Sequence, residues 1–320
     1  MDISFLIPTK NRPNDLDLNL DSINNLNFIN IDYEIIVLDD GSSVNYNKII
    51  SKYKFVNYYK NECSIGISRA RNKLAYLAKG KYLIFIDDDV TLDKDINLDV
   101  LYQLFETDNK LGLIAFNITA LLGSDILPEQ YNNNDNSNSN VQKAIKQIPF
   151  KKYQLFFSPI LSENVNYVSY FIGAAFACKK SIFDERITFD ELFFWGNEEL
   201  DFSYNLIKNE YKLMYHPAFK ANHYPRRSVI DKNDKKINSL NLFIANRILT
   251  AYKFLPFINA FLYITIWTTY YLILSIFKFR FDDWIVGVKM GIRKTNLSNR
   301  YPLSNKNMTY LKKNFGRINY

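Results

Sequence analysis

The chain of 320 residues has few of the residues that usually announce chemistry. It has two cysteines, Cys63 and Cys178, and neither lies in a CxxC pair or in a cysteine–histidine metal spacing. Disulfide scaffolds and zinc modules are thereby excluded, and a reducing cytoplasm is the compartment expected. It has two histidines and ten glycines. No GxGxxG follows the first apolar run and no GxxxxGK[ST] occurs anywhere, which disfavours a dinucleotide-binding dehydrogenase and a P-loop nucleotidase. The opening "MDISFLIPTK" lacks a basic stretch followed by a long apolar one, so no signal peptide is expected. The net charge of +7 comes from basic residues scattered along the chain. No nucleic-acid signature accompanies them, and the excess points weakly to nucleotide phosphates or acidic lipid.

What is present is apolar and patterned. The composition is 48% hydrophobic and 16% aromatic, enough for a substantial core. "DISFLI" (2–7) reads as a buried strand ended by Pro8, and Leu16, Leu20, Ile23 and Leu26 then recur at helical spacing. "YEIIVLDDGS" (33–42) is a second strand, residues 44–53 a helix, "FVNYY" (55–59) a third strand, "GISRARNKLAYLA" (66–78) a helix, and "KYLIFI" (81–86) a fourth strand. Alternation of this kind predicts an α/β fold with a mainly parallel central sheet flanked by helices.

Ligands of such sheets bind beyond the carboxyl ends of the strands. That places Thr9 to Arg12, Asp39 to Ser42, and Asp87 to Asp89 around one crevice. Three adjacent carboxylates repel one another, and a hard divalent cation, Mg²⁺ or Mn²⁺, would remove that cost while bridging to a diphosphate. Read as extended backbone, the triplet turns Asp87 and Asp89 to one side and Asp88 to the other. The bland alternative is a solvated acidic loop. Arg69 and Arg71, just upstream, could balance phosphate.

Further along, the Asn/Ser-rich run within residues 128–150 is expected to be a mobile loop, either a surface insertion or a lid. "NVNYVSYFIGAAFACKK" reads as a strand entering a small-residue turn, and "NEELDFSYNLIKNEY" as a helix capped by Asn197. "YKLMYHPAFKANHYP" reads as two short extended pieces, each with one histidine. Glu198, Glu199 and Asp201 fall in a helix's first turn, where the dipole favours acids for stability alone. A carboxylate there could also serve as a general base. Trp195 could stack on a sugar ring or sit in the core.

"FLIPTKNR", "IIVLDDGSS", "SIGISRARNKLAYLAKGKYLIFIDDDV" and "FFWGNEELDFSYNL", in that order, resemble the nucleotide-sugar glycosyltransferases of family 2, which have the GT-A fold. The resemblance covers roughly residues 2–225. It implies a GT-A domain, expected over 1–235, and the remaining residues 236–320 are expected to form a helical tail that associates with a membrane through the apolar run at 254–277. It implies that Pro8, Thr9 and Asn11 meet the nucleoside, that Asp40, beside Asp39, holds the base, and that Gly66 and Arg71 close over the nucleotide. Asp87 and Asp89 match the outer members of the DxD motif that ligates metal and diphosphate, Asp88 the middle position nearer the donor sugar, and His223 a further metal ligand. His216 has no counterpart and is read as structural. The family block usually reads Glu-Asp, with Asp as base; here Glu199 is the first candidate and Glu198 the second, while Asp201 shapes the site. Gly173 lies in a stretch near donor and acceptor, where a small residue permits close approach.

These matches imply transfer of a sugar from a nucleoside-diphosphate donor to a glycan or lipid-linked acceptor. The reaction would be metal-dependent and inverting. The tail segments "NRILTAYKFLP" and "GVKMGIRKTNLSNRYPLS" also resemble the tails of family 2 enzymes that build bacterial surface polysaccharides, rhamnosyltransferase-like members among them, which implies a part in surface-polysaccharide synthesis. A nucleotidyltransferase is the second enzymatic reading, although "IPTKNRPND" lacks the glycines it needs. A non-catalytic nucleotide-binding scaffold at a membrane is the third. The uncharged run at 254–277 could lie in the cytoplasmic face of the membrane, cross it, or form a buried or oligomer-forming helix. Lys253, Lys278 and Arg280 flank it and could meet anionic lipid.

Overall fold

A computed structural model describes residues 1–28, 31–53, 55–120, 164–224, 239–277 and 279–315. The expected loop at 128–150 and Lys278 lie outside them.

The first half alternates as its apolar pattern requires: β1 (Ile3–Thr9), α1 (Pro13–Asn24), β2 (Tyr33–Asp39), α2 (Asn47–Ile50), β3 (Val56–Lys60), α3 (Ile67–Leu77) and β4 (Tyr82–Ile86). These strands pair in parallel in the order β3-β2-β1-β4. Two expectations need correction. Pro8 does not end β1 but sits inside it, opposite Leu38. Pairing with β4 stops at Leu6, so β1 is one-sided beyond that point and tolerates a residue without an N–H. The helix expected over 44–53 is the single turn α2, preceded by an Asn45 side chain that accepts the Asn47 N–H at 2.7 Å in competition with helical bonding.

After β4 come β5 (Val90–Leu92), α4 (Leu98–Thr107), β6 (Leu111–Ala120), β7 (Asn166–Val168), β8 (Ala175–Lys179), α5 (Ser181–Asp184), α6 (Glu198–Lys208) and β9 (Lys212–His223). The sheet continues β4-β8-β6-β9-β5, with β7 also on β9. Strand β8 is antiparallel to both neighbours, and β5 and β7 are antiparallel to β9, so the sheet is parallel on one side and mixed on the other. The strand expected ahead of the small residues is the short β7, and Gly173 and Ala174 then lead into β8. The two pieces expected around the histidines are one strand, β9, whose register against β6 shifts between His216 and Lys220, at Pro217.

Helices cover both faces, which is why the inner strands are apolar throughout. Ile3, Phe5 and Ile7 pack toward α1 and α4 through Leu16, Leu20, Leu101 and Phe105. Leu6, Leu38, Leu83 and Phe85 pack toward α3 and α6 through Leu74, Phe202 and Leu206.

The C-terminal helices are α7 (Ser239–Phe254), α8 (Phe257–Phe277), α9 (Phe281–Asn296) and α10 (Asn305–Phe315). Phe254, Leu303, Met308 and Leu311 join the same core as α6. Helix α9 lies close against α7: a Cβ on Gly287 would stand 2.9 Å from the Asn241 carbonyl oxygen, and one on Gly291 would stand 2.7 Å from Ile248. Helix α8 is apolar outward, with Phe257 75%, Ile258 72%, Phe261 63% and Ile266 56% exposed. A buried-helix role is therefore set aside. Lys253 is also not free for lipid, because it is 4% exposed and paired with Asp190 and Asp201. Arg280 pairs with Asp283 at 2.5 Å.

Candidate active site

The crevice beyond β1, β2 and β4 forms where these strands end in polar loops. Asn11 adopts a left-handed φ of 56°. Its backbone N–H donates to Ser42 Oγ at 2.9 Å and its Oδ1 accepts from the Ser43 N–H at 2.9 Å, which staples the first loop to the second. Asp39 is fully buried and accepts from Tyr58 Oη at 2.7 Å and the Ser42 N–H at 2.8 Å. Asp40 accepts from Asn61 Nδ2, Ser64 Oγ and the backbone N–H groups of Ile65 and Gly66 at 2.6–3.2 Å. Asp40 thus holds the loop over residues 61–66 in shape, while the Asp39 carboxylate ties Ser42 to Tyr58 of β3. Gly66 has φ 86° and starts α3; a Cβ there would meet the Phe194 ring at 2.6 Å.

The three aspartates do not alternate as extended backbone. They form a turn closed by the Val90 N–H on the Asp87 carbonyl at 3.1 Å. Asn19 of α1, fully buried, donates to the carbonyls of Asp87 and Val90 at 3.2 and 2.7 Å and holds the turn from below. In this geometry Asp88 and Asp89 share one cation: Arg12 Nη1 lies 3.0 Å from Asp88 and 2.6 Å from Asp89. Asp87 turns instead to Arg71, at 3.2 Å. Thr9 Oγ1 donates to Asp88 at 2.7 Å and contacts Tyr46 Oη at 3.0 Å. Burial pushes the Asp88 carboxyl up to about 7 against the pull of Arg12. Asp89 is also raised by burial, but its bonds to His223 and Arg12 win and leave it below the ordinary range.

Among the described residues, no three His, Cys, Asp or Glu groups converge as a ready-made cage. Mg²⁺-type sites seldom need one, since one or two carboxylates and substrate phosphates complete the shell. Asp89 Oδ1 and His223 Nε2 lie 3.3 Å apart, His223 is partly exposed and Asp87 is partly exposed, so the donors present fit such an ion.

Arg71 is the hub that sequence reading placed over the nucleotide. It lies beneath the crevice instead, 2% exposed. Its Nη2 donates to Asp87 and, at 2.9 Å, to the Gly173 carbonyl, and its Nη1 lies 3.4 Å from Glu198 Oε1. One buried guanidinium thus links the aspartate turn to the glutamates of α6. Gly173 is packed between them: a Cβ there would stand 2.5 Å from Glu199 Oε1 and 2.7 Å from Arg71 Nη2.

The glutamates reach the crevice because Gly196 and Asn197 are both left-handed, at φ 82° and 68°. Asn197 takes the cap position of α6 as expected, but its side chain makes no capping bond. Glu198 is 3% exposed and its Oε2 has no hydrogen-bond partner among the described residues. Burial, aided by the neighbouring Glu199 charge, raises Glu198 to about 8; burial also raises Glu199, against the pull of Arg71. Glu199 is the more exposed of the two. Asp201 is fully buried against Lys253. Trp195 is 45% exposed at the rim, not in the core. His216 lies away from this cluster, its ring 4.7 Å from Phe219, in keeping with a structural part. Arg69 pairs with Glu191 at 3.0 Å on the surface.

Arg12 ends the loop expected at the crevice, but its pairing with Asp88 and Asp89 has no signal in the sequence, nor do the contacts of Asn19 and Asp190.

Residues 4–185 match the model of the glycosyl transferase family 2. An uncharacterised glycosyltransferase of Methanocaldococcus jannaschii is 25% identical over 218 residues, 66% of this chain and 66% of that one. A poly(ribitol-phosphate) beta-glucosyltransferase of Bacillus spizizenii is 27% identical over 173 residues, 51% of this chain and 26% of that one. The chain thus spans between a quarter and two thirds of these relatives' length. The crystal structure of S. aureus TarS 1-349 in complex with UDP-GlcNAc superposes with a TM-score of 0.57 at 18% identity, over 78% of this chain and 66% of that one. The architecture is GT-A-like, a mixed sheet between layers of helices. With its family model covering more than half of its length, the chain belongs to glycosyl transferase family 2.

Proposed function

We propose that the protein transfers a sugar from a nucleoside-diphosphate donor to a glycan or lipid-linked acceptor, with inversion at the anomeric carbon, in surface-polysaccharide synthesis. The observation that carries this reading is the Arg71 hub. It ties a strand-end carboxylate turn suited to a diphosphate to a pair of glutamates suited to proton abstraction.

In this reading the nucleoside lies along the loops of Pro8, Thr9, Asn11, Asp39 and Asp40, whose internal bonds keep the cleft shaped before the donor arrives. Asp87, Asp89 and His223 would hold Mg²⁺ or Mn²⁺, which when bound supplies Lewis-acid stabilisation of the leaving diphosphate. Arg12 spans Asp88 and Asp89 and is 41% exposed at its side chain, so it stands where phosphate oxygens would come. Glu199 takes the proton of the attacking hydroxyl, Glu198 serves as its buried neighbour, and Trp195 offers an apolar face to the acceptor ring.

The outward apolar face of α8 would sink into the cytoplasmic leaflet of the cell membrane, bringing the crevice to a lipid-linked acceptor. The helix is 21 residues long with mean hydropathy 1.6, and 22% of its most apolar stretch is buried.

The test is a thermal-shift titration with UDP-, GDP- and dTDP-sugars, with and without Mn²⁺. A ligand at a hundred times its Kd stabilises by about 2.7 kcal/mol, well within detection. A manganese-dependent shift with one base supports the reading, and no shift with any donor overturns it.

A further inference from the structure

The turn that delivers the glutamates is held from outside the sugar-transferase sheet. Gly196 and Asn197 are consecutive left-handed residues, and a non-glycine residue is strained there, so its surroundings must fix it. The fixing group is one side chain of α7. Asn246 Nδ2 donates to the carbonyls of Trp195 at 2.9 Å and Gly196 at 2.7 Å. Its Oδ1 accepts from Lys294 Nζ of α9 at 2.6 Å, which fixes which end of the amide faces the turn. Asn246 is fully buried. Phe243, one turn earlier on α7, packs 5.6 Å from the Trp195 ring. Two turns later, Lys253 binds Asp190 before the turn and Asp201 after it. The segment 190–201 is thus pinned by α7 at its middle and on both flanks.

We propose that Asn246 is a positioning residue for the candidate base: its amide holds the Trp195–Asn197 turn in the one shape that aims Glu199 at the crevice. The C-terminal helices are therefore part of the active site. This rests on the reading of Glu199 as base. Asn246 touches neither donor nor acceptor, so its loss affects the chemical step more than donor binding.

The test compares wild type with Asn246→Asp, Asn246→Ala and Lys294→Met. Asn246→Asp keeps the size and the Lys294 partner but removes both donors. The expected result is a kcat about 10²-fold lower in Asn246→Asp, since a displacement of about 1 Å costs that much. Donor KM stays within about twofold and the Mn²⁺–UDP thermal shift is retained. Lys294→Met, which frees the amide to turn over, loses about 10-fold and serves if the Asn246 variants fail to fold. Amide hydrogen exchange over residues 196–201 rises in each variant while β1–β4 stay protected. Unchanged kcat in Asn246→Asp and Lys294→Met, or unchanged exchange at 196–201, overturns the proposal. A loss confined to Asn246→Ala, tracking its melting temperature, reduces Asn246 to packing and also overturns it. A wild type without turnover on any nucleotide-sugar defeats the glycosyltransferase reading instead, and the exchange data still decide the positioning.

Discussion

Gly173→Ala probes the site where the two acidic clusters meet. The added methyl would stand 2.5 Å from Glu199 Oε1 and 2.7 Å from Arg71 Nη2, where ordinary contact begins at 3.4 Å. Arg71 cannot retreat easily, because it is buried and bonded to Asp87, Glu198 and the Gly173 carbonyl. Glu199 is the more exposed group and must give way by about 1 Å, which is worth about 10²-fold in rate for a positioned base. If the Arg71–Gly173 bond also stretches, a charge-assisted hydrogen bond is weakened and stability falls by about 1–2 kcal/mol. The assay is donor turnover with saturating acceptor, alongside a denaturant melt. The expected pattern is a large fall in kcat, a nearly constant donor KM and a modest shift in midpoint. A variant with wild-type kcat would refute the placement of Glu199 against Gly173, and with it the argument that these groups form one site.

Four further outcomes follow from the structure. Glu198 binds its proton up to about pH 8 in the folded protein but releases it near 4.5 when unfolded. Between those values the native state holds the extra proton, so stability falls as pH rises through that window, and Glu198→Gln flattens the slope in pH-dependent melts. Burial raises both glutamates in the folded protein, so the base is freed on the alkaline side of the ordinary carboxylate range and kcat rises with pH there; a flat profile between pH 6 and pH 8.5 would contradict it. Lys253→Met leaves Asp190 and the fully buried Asp201 without their cation, so unfolding experiments should register a loss of about 3–5 kcal/mol. Phe261→Ser combined with Ile266→Ser should abolish co-sedimentation with vesicles containing anionic lipid without altering the melt of the sheet domain. Retained sedimentation, or a change in oligomeric state instead, would assign the α8 face to something other than lipid.

Much of this arrangement is legible in the chain itself. "FLIP", "EIIVLDD" and "YLIFIDDD" are short apolar runs that end in polar residues, and runs of that length, rich in Ile, Val and aromatics and alternating with helical patterns, fit inner strands between helix layers. Strand-end chemistry then follows from topology. The direction of the triplet was not legible, because Asn19 and the Asp87–Val90 bond bend it into a turn and place Asp88 beside Asp89. Local periodicity does not encode contacts across 70 residues. The same limit hid the buried position of Arg71 and the part played by the tail. Asn246, Lys253 and Lys294 look like ordinary polar positions of amphipathic helices; only the packing of α7 and α9 brings them to residues 190–201. Strand β8 begins only after Gly173 and Ala174, whose carbonyls accept from Arg71 and from the Asp87 N–H, again contacts that periodicity does not encode.

The central claim is that the crevice binds a nucleoside-diphosphate sugar and that an α6 glutamate activates the acceptor. Its most direct measurement is transfer from the donor selected by thermal shift, in wild type, Glu199→Gln and Asp89→Ala, with donor affinity measured in parallel. The account predicts that Glu199→Gln binds donor as wild type does yet loses at least about 10²-fold in kcat, and that Asp89→Ala loses manganese-dependent donor affinity. Wild-type transfer by both variants would contradict it.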